Sequence, residues 1–163
     1  VGPPKHWIDF LVDELEQNDS KPASCAIPIK SNDAMYSVAL CHDGEDCHYR
    51  LSVDDYLDLP ETFTGNDLRT VAGQDGIMCV NTGLWVCRLG QIWNRQVSFD
   101  IETHIRWNAE QPKSVCIPED WGFSQQLHRL GCNVICTKKL QVLHCGQYIW
   151  QSQPNMEYVW QAE

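Results

Sequence analysis

Three motifs that mark common nucleotide-dependent and hydrolytic enzymes are missing from this chain. It contains no G-x-x-x-x-G-K-[ST] loop, no G-x-G-x-x-G fingerprint and no G-x-S-x-G elbow. Such glycine-containing segments bring backbone N–H groups to phosphates or expose a nucleophilic serine. Their absence disfavours kinase, dehydrogenase and serine hydrolase functions.

Long apolar runs are missing as well. No stretch approaches the roughly 18 apolar residues that a membrane-spanning helix needs. The chain also does not open with the charged and then apolar segment that is typical of a secretory signal. We therefore predict no membrane span within these residues.

Basic residues are scarce. Lysine and arginine number 12 against 22 aspartates and glutamates, which gives a net charge of −10. Nucleic acids and anionic membrane surfaces attract basic patches, so both are disfavoured as partners. Nucleotide substrates are not excluded, because a metal ion and a few local donors usually neutralise their phosphates.

Nine cysteines are present, but none forms a C-x-x-C pair. Most lie within apolar runs, where a cysteine usually acts as a small buried hydrophobic residue. We expect reduced thiols in the core and a cytoplasmic location; the alternative is a disulfide-built secreted fold. The cysteines in apolar runs are Cys25, Cys79, Cys87, Cys132 and Cys136.

A second group of cysteines raises the possibility of zinc. Cys41, His42, Cys47 and His48 flank an acidic turn at residues 43–46. These are zinc-ligand types, but C-x5-C is wider than the usual spacing of two to four residues. The alternative interpretation is a hairpin tip with thiols that bind nothing.

The remaining pattern predicts one α/β unit. A chain of 163 residues with 43% hydrophobic content can bury one sizeable core. Helical and extended patterns alternate, which predicts a mixed sheet flanked by helices. We expect helices at 3–17 and 120–130, strands at 25–29, 35–41 and 140–144, and a surface loop at 60–76.

Glu119 and Asp120 form an acidic pair at the start of the second predicted helix. A carboxylate there usually caps the helix, and Asp120 is a good N-cap residue. Two adjacent carboxylates can also divide the work, one capping while the other accepts a substrate proton. The helix dipole would lower the pKa of such a group, so we expect it to be ionised at pH 7.

His144 ends an apolar strand 24 residues after Asp120 and is followed by Cys145 and Gly146. A single histidine at a strand end is more often structural than a ligand. The apolar strand fixes its position, however, and a neutral imidazole binds divalent ions such as Mn²⁺ well.

Four segments in this order resemble a known family. They are VGPPKHW at residues 1–7, NTGLWVCR at 81–88, EDWGF at 119–123 and VLHCG at 142–146. The chain resembles the C-terminal half of a GT-A-fold, inverting glycosyltransferase of the large family 2-like group that uses nucleotide sugars. The last two segments match its E-D-x-x-F helix start and its H-x-G metal-ligand strand. The likeness covers roughly residues 1–146, an acceptor-side unit, and leaves an aromatic tail at 147–163.

The resemblance implies a role for each matching residue. Asp120 would be the general base toward the acceptor hydroxyl, and Glu119 would orient that site. His144 would ligate Mn²⁺ or Mg²⁺ at the donor diphosphate. Gly83 would line the acceptor side and Trp121 would stack on a sugar ring. The partners implied are a nucleotide-sugar donor and a glycan, lipid or protein acceptor.

The D-x-D motif and the nucleotide-binding strands of that family are not in this sequence. The first residue is Val1 rather than methionine, and we expect the chain to be the second half of a longer protein. By itself it should bind donor weakly or not at all and turn over nothing measurable. A non-catalytic carbohydrate-binding or interaction module remains the alternative, because seven tryptophans could stack on sugars or anchor an interface.

Overall fold

The computed structural model describes residues 2–20, 22–29, 35–88, 95–107, 111–145, 148–151 and 159–160. The helices in these ranges are α1 (Trp7–Gln17), α2 (Val53–Asp58), α3 (Gly65–Ala72) and α4 (Glu119–Arg129). The strands are β1 (Pro22–Cys25), β2 (Met35–Cys41), β3 (Cys47–Ser52), β4 (Thr62–Thr64), β5 (Ile77–Cys79), β6 (Trp85–Cys87), β7 (Glu102–Trp107), β8 (Pro112–Ile117), β9 (Ile135–Thr137), β10 (Leu143–Cys145), β11 (Tyr148–Gln151) and β12 (Val159–Trp160). Helices are interspersed among the strands along the chain, so the predicted α/β class is confirmed.

The central sheet is mixed, as predicted. Its strand order is β4-β9-β1-β6, with β1 and β9 parallel and the outer pairings antiparallel. A second sheet, β3-β2-β5, is antiparallel throughout. β7 and β8 form a hairpin, and β10, β11 and β12 form a small antiparallel sheet.

Helices cover both faces of the central sheet. Ile135 and Cys136 are neighbours in β9, yet they lie in different core clusters because successive side chains of a strand point to opposite faces. Ile135 packs with Leu11 and Leu15 of α1. Cys136 packs with residues of the other three helices, including Leu127 of α4. The sheet is therefore enclosed between α1 and the remaining helices.

α1 begins later than its sequence pattern predicts. Residues 3–17 carry the helical spacing, but the helix starts at Trp7. His6 adopts a left-handed backbone conformation with φ of 62°, which cannot be part of a right-handed helix. The two prolines and this turn therefore form a lead-in to the helix.

The surface loop predicted at residues 60–76 is wrong. This segment contains β4 and then α3, whose Leu68 is fully buried. Thr64 and Asp67 form a capping box, in which the Asp67 carboxylate accepts the Thr64 N–H at 2.8 Å. The capping pattern is visible in the sequence. The helix was nevertheless missed, because the residues around its single buried leucine are polar.

α4 begins one residue before the predicted Asp120. Its N-cap is Pro118, and Asp120 is the second helical residue rather than the cap. Trp121, Phe123 and Leu127 are buried, and the helix ends before Gly131, whose φ of 67° favours glycine. The predicted helix is confirmed, while the assignment of Asp120 as its N-cap is wrong.

Predicted strands differ in how well their bounds were placed. β2 coincides with the predicted strand at 35–41. β1 ends at Cys25, where the predicted strand began, and Pro28 forms only an isolated bridge with Tyr36. β10 starts at Leu143, three residues into the predicted strand at 140–144, and pairs with β11 of the aromatic tail.

No helix in the described residues is long and apolar enough to cross a membrane.

Candidate functional site

Asn81 joins two of the residues that the sequence singled out. Its Nδ2 donates a hydrogen bond to Oδ2 of Asp120 at 3.3 Å. Its Oδ1 accepts the backbone N–H of Gly83 at 2.6 Å, which closes an Asx turn. Asp120 at the start of α4 and the turn at Gly83 are therefore neighbours, although 37 residues separate them in the chain.

β1 holds this turn in place. Ser24, buried in the central sheet, donates its hydroxyl to the carbonyl oxygen of Asn81 at 2.6 Å. The next residue, Cys25, donates its backbone N–H to Leu84 O at 3.3 Å. Asn81 is thus fixed by the sheet on its backbone side, and its side-chain amide is oriented toward Asp120.

Asp120 lies in a partly buried position. Burial is the largest influence on its carboxyl and raises its pKa above the usual value for aspartate, and the neighbouring Glu119 raises the pKa further. The N–H of Trp121, which donates to Oδ1 at 2.9 Å, and the Arg50 guanidinium act in the opposite direction. The expected lowering of this pKa by the helix dipole is therefore wrong, because loss of hydration outweighs it.

The environment makes Asp120 a better proton acceptor than an exposed aspartate. A carboxylate with a raised pKa binds a proton more tightly, provided that it is still ionised at working pH. Glu119 precedes it with an exposed side chain. The acidic pair therefore comprises one oriented, half-buried carboxylate and one exposed to solvent.

Trp121 does not fit the sugar-stacking role that the resemblance implies. Its side chain is 5% exposed and packs with Ala39, Ile77 and Ile117 in the core. The Arg50 guanidinium also lies over the ring, 4.9 Å from its centroid. A ring enclosed in this way has no face available for a sugar, so the structure corrects this assignment.

His144 is oriented by a backbone carbonyl. Its Nδ1 lies 2.6 Å from Pro28 O, and because a carbonyl oxygen only accepts, Nδ1 must carry the proton. The lone pair of the neutral ring is then on Nε2. Metal-ligating histidines are commonly held by such a bond, so the donor chemistry fits the implied ligand.

The beginning of the described chain lies beside His144. Gly2 N donates to Leu143 O at 2.7 Å, and Leu143 N donates to Gly2 O at 3.2 Å. No group of three or more histidine, cysteine or acidic side chains that could hold a metal is found in the described part of the chain. His144 is therefore a single oriented candidate ligand, and the described residues do not complete a metal centre around it.

Asp120 and His144 connect to the same short segment. Asp120 is linked through Asn81 to Ser24, and His144 is bonded to Pro28. Four residues of chain span at most about 14 Å when fully extended. The structure therefore brings both residues to the end of β1 and the segment that follows it.

The zinc hypothesis finds no support in the arrangement of its four residues. The rings of His42 and His48 stack with centroids 4.1 Å apart, and His48 Nε2 lies 2.9 Å from Asp75 O. Cys41 is buried against Cys79, with which it interacts through its thiol. No metal-binding group that includes them occurs among the described residues.

None of the cysteine side chains that the structure describes is joined in a disulfide. Of the five in apolar runs, Cys25, Cys79 and Cys136 are buried, while Cys87 and Cys132 are half-buried. Burial raises the pKa of Cys25 to about 12, and Glu14 adds to this effect. The buried thiols therefore act as core residues rather than as nucleophiles.

Sequence reasoning missed Asn81 and Ser24 as parts of this site. Asn81 was noticed only as the first residue of a glycine-containing segment. The Asn-x-Gly spacing is typical of an Asx turn and could have predicted the bond to Gly83. Nothing local predicts the bond from Asn81 to Asp120, because the two lie on separate elements.

Comparison of the chain with protein-family models, with curated proteins and with solved structures yields no match.

Proposed function

We propose that this chain is the acceptor-side part of a GT-A glycosyltransferase that transfers a sugar from a nucleotide-diphosphate sugar to an acceptor hydroxyl with inversion. One observation carries the proposal. The half-buried Asp120 carboxylate has a raised pKa and is oriented by Asn81, beside the turn at Gly83. This arrangement suits a general base that faces a hydroxyl acceptor.

In the proposed reaction Asp120 accepts the acceptor hydroxyl proton on a carboxylate oxygen. The acceptor oxygen then forms a bond to the anomeric carbon while the bond from that carbon to the diphosphate breaks. Attack from the face opposite the leaving group inverts the configuration. Asn81 keeps the carboxylate directed, and the exposed Glu119 is assigned to orienting the acceptor.

His144 is the proposed ligand for Mn²⁺ or Mg²⁺. A bound metal would stabilise the charge that develops on the leaving diphosphate. The Nδ1–H bond to Pro28 O holds the ring in the tautomer with its Nε2 lone pair. The Gly2–Leu143 pairing places the first described residues of the chain beside His144.

Two broader features agree with this proposal. The mixed central sheet, flanked by helices, supports the C-terminal half of a GT-A fold. The cysteines within apolar runs favour a reducing compartment such as the cytoplasm.

The test compares two matched variants in the longest natural chain that carries these residues. Asp120→Asn removes the proposed base, and Asp54→Asn removes an exposed acid at the equivalent second position of α2. With a panel of radiolabelled sugar nucleotides, Asp120→Asn should lower transfer by about 100-fold or more, and Asp54→Asn should leave it near wild type. Undiminished transfer by folded Asp120→Asn protein would rule out this role.

A binding module is the second candidate, and one exposed surface favours it. Along the β7–β8 hairpin, Ile105 and Trp107 are 64% and 80% exposed. An exposed indole can stack on a sugar ring, which the buried Trp121 cannot. If this function holds, Trp107→Ala should abolish glycan binding on an array while Asp120→Asn leaves it unchanged. The glycosyltransferase proposal expects the Asp120→Asn protein to bind but not to transfer.

A further inference from the structure

A cavity of about 360 Å³ lies between α3 and the second half of α4. Arg69 of α3 and His128 of α4 line it, with Asn66, Asn133 and Ser124 among the other polar residues. Ligand sites typically range from about 300 to 1,000 Å³. The cavity therefore has room for a small molecule, and none of the residues assigned above to transfer lines it.

The charge of this cavity is opposite to that of the protein. The chain carries a net charge of −10, yet no aspartate or glutamate occurs among the described residues that line the cavity. The guanidinium of Arg69 is permanently charged, and His128 becomes a second cation on protonation. The lining is therefore a local cationic region on an acidic protein.

Arg69 is held in one position by its neighbours. Its Nη1 donates to Gly76 O at 2.8 Å, and its Nη2 donates to Oδ1 of Asn66. A guanidinium has five N–H donors, so these two bonds leave one N–H on each terminal nitrogen. Because Asn66 Oδ1 accepts the bond from Arg69, the side-chain nitrogen of Asn66 remains as a donor toward a ligand.

The acidic residues near the cavity already have partners, and one of them pairs with Arg69 itself. Asp67 accepts bonds from the Thr64 N–H and hydroxyl, each at 2.8 Å. Asp75 accepts the Gly76 N–H and lies 3.8 Å from Arg69 Nε with its side chain 95% exposed. Asp43, whose carboxylate interacts with His128, is paired with Arg129 at 2.6 Å. Because exposed ion pairs are weak, Asp75 offsets the charge of Arg69 only in part, and none of these carboxylates lines the cavity.

We infer that this cavity binds a phosphate group, with Arg69 as its principal ligand and Asn66, Asn133 and His128 as further donors. Arginine suits this role because two parallel N–H groups match two phosphate oxygens. The volume exceeds that of the free ion, so a small phosphate monoester also fits. This site is separate from the proposed transfer reaction and does not depend on it.

The test titrates the protein with inorganic phosphate, against chloride at equal ionic strength, and follows backbone amide shifts by NMR. Residues 65–69, 128 and 132–134 should shift together with saturation. Arg69→Gln should weaken binding roughly tenfold or more, because a charge-assisted pair is lost. Arg95→Gln is the matched control, since Arg95 is exposed and is not among the residues that line the cavity, and it should bind as wild type does.

A second variant covers the case in which Arg69→Gln fails to fold. Asn133 is exposed, so Asn133→Asp should fold normally while it places a carboxylate at the cavity and abolishes phosphate binding. Glycerol phosphate, titrated in parallel, distinguishes an ester from the free ion as the preferred ligand. The assignment would be overturned if wild type showed no saturable shift. It would also be overturned if Arg69→Gln and Asn133→Asp both bound phosphate as tightly as wild type. The two proposals are tested separately, because Asp120→Asn should lose transfer while it still binds phosphate.

Discussion

Asn81 Nδ2 donates to Oδ2 of Asp120 across 3.3 Å, while its Oδ1 accepts the Gly83 N–H at 2.6 Å. One side-chain amide therefore couples a turn of the chain to the carboxylate at the start of α4. Any change at Asn81 acts on both the geometry and the protonation of Asp120. The first prediction uses this coupling.

Asn81→Asp should raise the pKa of Asp120 further. The new carboxylate can still accept the Gly83 N–H, so the turn is retained, but it places a second negative charge next to Asp120. Carboxyl-carbon NMR titration of Asp120 measures the effect. Gln74→Glu, which adds a carboxylate at an exposed position, should leave this titration unchanged. An unaltered Asp120 titration in Asn81→Asp would contradict the coupling.

Asp120→Asn should stabilise the protein increasingly as pH rises from about 4 to 7. Burial raises the pKa of the Asp120 carboxyl in the folded state. The stability that this carboxyl contributes is therefore fully present below its pKa in the unfolded state. It is lost as pH rises through its pKa in the folded state. Asparagine cannot ionise and avoids this loss. Urea unfolding of both proteins at the two pH values measures the difference. Asp54→Asn, at an exposed site, should show no comparable pH dependence, and a gain for Asp120→Asn that shrinks with pH would refute the argument.

Lys139→Met should lower the free energy of unfolding by about 2–3 kcal/mol. Glu14 of α1 is 3% exposed, and its carboxylate is met by Lys139 Nζ at 2.6 Å and by the Thr62 hydroxyl. Removing the lysine leaves a buried charge with only a neutral partner. Lys5→Met, at an exposed position, is the control for loss of a cation. Chemical unfolding decides the matter, and equal stability of the two variants would show that the Glu14–Lys139 pair contributes nothing.

Alkylation by iodoacetamide at about pH 8 should modify Cys116 well before the core cysteines. Cys116 is exposed on β8, whereas Cys25 and Cys136 are buried. Burial raises the pKa of both thiols, which leaves little of the reactive thiolate. Mass spectrometry of digested samples over time gives the order of labelling. Early labelling of Cys25 in folded protein would mean that α1 does not cover it.

Patterns carried within one element were predicted well. β2 lies where its apolar run placed it, and α4 lies within one residue of its predicted start, because the periodicity of each is local. α3 was missed because it has one buried side chain, Leu68, and is otherwise polar. Its burial depends on the sheet beneath it, which no short segment encodes.

The candidate site was predicted only in its parts. Asp120 and His144 were identified as chemical groups, but the pKa of Asp120 was predicted in the wrong direction. The helix dipole is readable from sequence position, whereas the burial that outweighs it comes from packing around α4. The role of Trp121 failed for the same reason, since its burial depends on β5, β8 and Arg50.

The sequence by itself determined the α/β class, the acidic character and the positions of the oxygen and nitrogen donors along the chain, because these follow from composition and local periodicity. Only the tertiary structure decided which donors meet. Ser24, Asn81 and Asp120 come from β1, a turn and α4, and hydrogen bonds across those elements join them. Arg69 and His128 likewise reach one cavity from two helices. These contacts between distant residues depend on long-range packing. Packing also determines how far Asp120 is hydrated, and hydration sets its proton affinity.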